Sequence, residues 1–134
     1  MERAAILHIE DDHDVLEVVR QALQDEFRVF SAPTLDKARQ YLEAEKWDLI
    51  ILDLALSDGL GSDLIPRLVD GAGRPIPIVV FTAQESTHEL AGQVETILTK
   101  SRVNLLMLVE TVRSAISATR RRIQGIQEAP NEAA

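Results

Sequence analysis

The sequence predicts an α/β fold, a doubly wound parallel sheet of five strands alternating with five helices. Three observations carry that prediction. Short, almost continuous apolar runs recur along the chain and stop at polar residues, as strands buried on both faces require. Between these runs the apolar spacing changes to the period of an amphipathic helix. The two patterns keep alternating, and right-handed crossovers between parallel strands then put helices on both faces of one sheet.

Ala4-Ala5-Ile6-Leu7-His8-Ile9 reads as the first strand, halting at Glu10-Asp11-Asp12. From Val15 the apolar residues Leu16, Val19, Ala22 and Leu23 follow at helical spacing, with Asp12 placed to cap the helix. Residues 27–31 read as a second strand, and Leu35, Ala38, Leu42 and Ala44 give a second helix with Thr34 as cap. Asp48-Leu49-Ile50-Ile51-Leu52-Asp53 is the clearest buried strand, four apolar residues between carboxylates. A third helix is expected from about Ser62 to Gly71 or Gly73, with Pro66 near the limit at which a missing N–H is tolerated. Residues 77–82 give the fourth strand, Ser86-Thr87-His88-Glu89 matches a capping box for a short helix, and Ile97-Leu98-Thr99 centres the fifth strand before Lys100. The last helix carries Leu105, Leu108, Val109, Val112, Ile116 and Ile123 on one stripe, with Asn104 as cap. Residues 125–134 are small and polar enough to predict a disordered tail, leaving 1–124 as the domain.

Composition bounds the function. With 134 residues, 46% hydrophobic, the chain fits one domain with an ordinary apolar core. The absence of cysteine excludes disulfides, thiol catalysis and thiolate metal sites. A net charge of 14 − 22 = −8 repels phosphate backbones and anionic membranes, which argues against direct nucleic-acid binding. The N-terminus lacks a signal-peptide pattern, and no apolar run approaches the ~20 residues that span a bilayer, so a cytoplasmic setting is expected.

In a doubly wound sheet ligands gather beyond the carboxyl ends of the strands, where the sequence places Glu10, Asp11, Asp53, Thr82 and Lys100. Each alone has an ordinary reading: the acidic trio complements a helix dipole, Asp53 makes a turn, Thr82 fills a strand and Lys100 is a solvated charge. Together they make a site. Carboxylates meeting at one sheet edge repel one another unless a cation joins them, and oxygen ligands of this kind suit Mg²⁺. Lys100, the Thr82 hydroxyl and the N–H groups after Asp53 then complement three phosphoryl oxygens, with Asp53 as the nucleophile.

On these residues the sequence resembles the receiver domains of two-component response regulators. The resemblance covers about residues 4–124 and rests on Ile-Glu-Asp-Asp (9–12), Leu-Ile-Ile-Leu-Asp-Leu (49–54), Gly61, Val-Phe-Thr-Ala (80–83) and Leu-Thr-Lys (98–100). It implies the flavodoxin-like strand order 2-1-3-4-5, Asp53 as phosphoacceptor, and Mg²⁺ held by Glu10, Asp11, Asp53 and the Ala55 backbone carbonyl. It further implies phosphoryl contacts from Thr82 and Lys100, a histidine kinase or histidine phosphotransfer protein as donor, and a downstream protein target; it leaves a homodimer open. The leading expectation is a stand-alone phosphorylatable receiver acting by protein contacts. A pseudo-receiver that keeps the fold without the switch is the alternative. A third reading, a Mg²⁺-dependent phosphatase of the haloacid dehalogenase type, meets Ala55 where those enzymes carry a second Asp.

Several positions depart from the family pattern. Ser101 follows Lys100 where Pro, joined by a cis bond, is usual; a trans bond is expected because a cis bond without Pro costs ~3–4 kcal/mol. Ile97 stands where members carry Tyr or Phe, Ser57 where Pro is common, and the interval 100 − 82 = 18 residues is roughly one helical turn short. The fourth helix is therefore expected to be shortened. His8 reads as a buried or half-buried, hydrogen-bonded strand residue, His13 and His88 as solvated, and Arg120-Arg121-Arg122 as a solvated group meeting the negative end of the last helix.

Overall fold

The computed structural model describes residues 3–84 and 90–133, with side chains as far as residue 122. Its strands are β1 (Ala5–Ile9), β2 (Arg28–Ala32), β3 (Leu49–Leu52), a two-residue hairpin β4 (Ala55–Leu56) and β5 (Gly59–Leu60), β6 (Ile78–Thr82) and β7 (Thr96–Thr99). Five of them form one parallel sheet in the order β2-β1-β3-β6-β7. Without the hairpin this is the doubly wound order expected from the sequence. The strand ends differ from the sequence reading by a residue.

Period-two alternation sorts the sheet's side chains to two cores. Leu7, Ile9, Ile50, Leu52 and Val80 face one layer, packing with Leu35 and Ala38 of α2 (Leu35–Ala44) and with Leu64, Ile65 and Leu68. Ile6, Leu49, Ile51 and Val79 face the other, against Val19 and Leu23 of α1 (His13–Leu23) and Leu108, Val112 and Ile116 of α3 (Leu105–Ala133). The expected caps are made. Asp12 accepts the N–H groups of Asp14 and Val15, Thr34 that of Lys37, and Asn104 that of Met107.

The helices depart from expectation in three places. No α-helix starts near Ser62; a 3-10 segment, Gly61–Arg67, stands there and ends before Gly71. Pro66 lies inside it and has no N–H to continue an α-helical ladder, while Leu68 N–H closes the segment on Ile65 at 3.1 Å. The capping box at Ser86–Glu89 lies outside the described residues, and the chain from Leu90 to Glu95 carries no α-helix. The backbone of α3 runs past residue 124, through the stretch for which composition predicts a disordered tail. Arg120-Arg121-Arg122 therefore sit within the helix rather than at its end, and the dipole argument for them does not hold. Among the described residues no helix is long and apolar enough to cross a membrane, and no peptide bond is cis.

Candidate functional site

Parallel register brings the strand ends side by side. Ile9 pairs with Leu52, Leu52 with Val80, and Thr82 with Thr99, so Glu10, Asp53, Thr82 and Lys100 all emerge at one edge. Backbone bonds continue the alignment: Asp53 N–H donates to the Ile9 carbonyl at 3.0 Å and Lys100 N–H to that of Thr82 at 2.7 Å. One carboxylate oxygen from each of Glu10, Asp11 and Asp53 lies within 4.8 Å of the others. Glu10 and Asp53 are only 1% and 5% exposed, which makes their negative charges costly without a partner.

Lys100 is that partner. Its ammonium donates to Glu10 Oε1 and, at 3.5 Å, to Asp53 Oδ2, while its Nζ lies 5.7 Å from the centre of the Phe81 ring. Burial pushes the Glu10 carboxyl up to about 7, the Lys100 hydrogen bond pulling it back and Asp53 pushing it further. Burial alone would lower Lys100, but its bond to Glu10 and the Asp53 charge outweigh that and leave the ammonium raised. Thr82 is fully buried, and its hydroxyl oxygen accepts the Gln84 N–H at 3.3 Å.

The chain leaving Asp53 is held close. Ala55 N–H donates to Asp53 Oδ1 at 3.5 Å, and Gly61 N–H to the Leu54 carbonyl at 2.8 Å. A Cβ on Gly61 would lie 2.0 Å from the Asp53 carbonyl oxygen, so the return of the loop across the strand end requires glycine.

Two features escaped the sequence reading. Phe81 lies beneath the ammonium; it pairs with Leu98, two residues before Lys100, so strand alternation could have placed ring and lysine on one face. His8 is 1% exposed, yet its Nδ1 has no hydrogen-bond partner, which corrects the expectation that it is satisfied. The ring shares the α1 and α3 face with Ile6 and Ile51, whose side chains offer no polar atom. Burial first, then the Lys100 charge, lowers it to about 3 against the opposing Asp53.

A model of the response regulator receiver domain matches residues 6–117. The chain belongs to that family. This receiver is 37% identical over 82 residues to the KDP operon transcriptional regulatory protein KdpE of Escherichia coli, a match covering 60% of the receiver and 36% of the regulator. The receiver thus spans about a third of the curated relative it matches. Among solved structures it resembles the signal receiver domain of the putative Luxo repressor protein from Vibrio parahaemolyticus, at 26% identity and TM-score 0.82 over 92% of this chain and 97% of that one. The non-phosphorylated HemR receiver domain from Leptospira biflexa is 30% identical, with TM-score 0.75, over 86% of this chain and 95% of that one.

Proposed function

We propose that this receiver accepts a phosphoryl group on Asp53 from the phosphohistidine of a histidine kinase or histidine phosphotransfer protein, and signals by protein contacts. The observation that carries the reading is the meeting of Glu10, Asp11, Asp53 and Lys100 at the carboxyl end of the sheet. Three carboxylate oxygens within 4.8 Å, from two buried residues and one half-buried, form an oxygen-only donor set that fits Mg²⁺. Glu10, Asp11, Asp53 and the Ala55 carbonyl would hold the ion, which when bound offsets charge developing on the transferred oxygens.

The chain's own groups supply the rest. In the transfer the P–N bond to histidine breaks as an Asp53 oxygen forms the new P–O bond; later attack by water releases phosphate and restores the carboxylate. Lys100, held beside Asp53 and Glu10, is placed to pair with a phosphoryl oxygen carried on Asp53. Thr82 supports the same group by turning its hydroxyl from the Gln84 N–H to a phosphoryl oxygen. The receiver thereby promotes its own phosphorylation and dephosphorylation without being an enzyme on another substrate. The net charge of −8 and the setting of two-component signalling support a cytoplasmic location.

The pseudo-receiver reading is favoured by one observation, the half-buried Ile97 packed against the core where the family switch needs an aromatic ring. Intact mass after incubation with acetyl phosphate separates the two readings. The wild type should gain one phosphoryl group with Mg²⁺ and none with EDTA, and Asp53→Asn should gain none; a wild type that stays unmodified supports the pseudo-receiver.

A further inference from the structure

The hairpin after Asp53 does not stop at the site; it reaches across to the start of α2. Asp58, at its tip, accepts the N–H of Leu35 at 3.0 Å and that of Asp36 at 3.4 Å. Thr34 accepts the next N–H, that of Lys37, and Ala38 N–H already donates to the Thr34 carbonyl. The first three orphan donors of α2 are thus divided between a local cap and a carboxylate 23 residues away in sequence. Gly59 seats the hairpin on the same helix end: its φ is +151°, and a Cβ there would lie 2.7 Å from Leu35 Cδ1. At its other end the hairpin is fixed to the site, through Gly61 against the Asp53 carbonyl and Gly61 N–H on Leu54.

We infer that Asp58 is a positioning residue which couples occupancy of the Asp53 site to the N-terminus of α2. The inference rests on the proposed role of Asp53, and it extends that role to a second element. The hairpin is short and has two anchors, so a shift of Ala55 toward a ligand must either move with α2 or break the Asp58 contacts. Linkage makes the effect reciprocal: whatever tightens the hairpin tightens the helix end, and loosening the helix end through Asp58 weakens the ligand. Thr34 caps the same turn of α2 but does not contact the hairpin through its capping bond, which makes it the control.

The test is amide hydrogen exchange on the full chain, with and without Mg²⁺ and beryllofluoride, in the wild type, Asp58→Ala, Asp58→Asn and Thr34→Ala. In the wild type the ligands should raise protection at residues 54–60 and also at 35–37. Asp58→Ala should lose the response at 35–37 and bind Mg²⁺ roughly 3- to 10-fold more weakly. Asp58→Asn, which keeps an accepting oxygen, should restore part of both, and Thr34→Ala should fray the helix while leaving Mg²⁺ affinity and the response at 54–60 unchanged. Identical behaviour of Asp58→Ala and Thr34→Ala would show that Asp58 is only a cap and overturn the inference, as would a wild-type response confined to 54–60. A wild type that binds neither ligand contradicts the reading of Asp53 instead. The coupling is then judged without ligand, where exchange at 54–60 must quicken in Asp58→Ala and not in Thr34→Ala, or the inference fails.

Discussion

Gly61 and His8 show the site being bounded by residues that do no chemistry. The contact of Gly61 with the Asp53 backbone leaves no room for a methyl group. Gly61→Ala should cost about 1–3 kcal/mol of stability by overpacking. Because it displaces Asp53, it should also slow phosphorylation at least roughly tenfold. Urea unfolding and a phosphorylation time course check the two effects separately. His8 gives a prediction in pH. Its folded pKa of about 3 lies below the unfolded value of 6.5, so the unfolded chain binds the extra proton as pH falls. The stability held by neutral His8 is complete above pH 6.5 and is lost progressively down to about 3, amounting to about 2 kcal/mol at pH 5. Glu10 acts in the opposite sense, its raised carboxyl taking up a proton in the folded state between pH 7 and 4.5. The two oppose each other in the wild type. The difference from His8→Leu isolates the histidine: the variant should gain stability relative to wild type as pH falls from 7 to 5, and parallel curves would contradict the assignment. At this scale Glu10, Asp11, Asp53 and Lys100 were legible because each ends an apolar run. Asp58 was not, since its partners lie 23 and 22 residues upstream and an Asp-Gly pair reads only as a turn.

Among the elements, the five strands of the parallel sheet were read to within a residue because burial leaves an apolar signature, whereas the short, largely exposed β4–β5 hairpin has none and was not read. Helices defined by a stripe and a cap, α1 and α2, were equally legible. The segment Gly61–Arg67 was not, because its apolar spacing fits a helix and only Pro66 says which kind. The connection from β6 to β7 bears on function. Ile97 has neither ring nor hydroxyl to follow a reoriented Thr82, so a signal leaving Thr82 must pass into the backbone of residues 83–96. Binding of beryllofluoride should therefore change exchange protection within 83–96 more than in α3. A strong response in α3 with 83–96 unchanged would place the output elsewhere.

Over the whole molecule the two ends of the sheet differ in what they carry. Its carboxyl edge gathers the buried charges, while the other end of β3 carries Trp47, which is 7% exposed, donates to the Tyr41 carbonyl at 3.1 Å and packs edge-on with Phe30 and Tyr41. Trp47 lies six positions before Asp53, about 20 Å of extended chain. Tryptophan fluorescence should accordingly report global unfolding and stay nearly unchanged on addition of millimolar Mg²⁺, whereas backbone shifts of residues 10, 11 and 53–56 should respond. Silent shifts at those residues would remove the metal from the account. The central claim, that Asp53 receives the phosphoryl group, is tested most directly by peptide mapping after borohydride reduction of the phosphorylated chain. Reduction should convert residue 53, and no other, to homoserine in a sample phosphorylated with Mg²⁺ present; conversion at another carboxylate, or equal modification of Asp53→Asn, would contradict it.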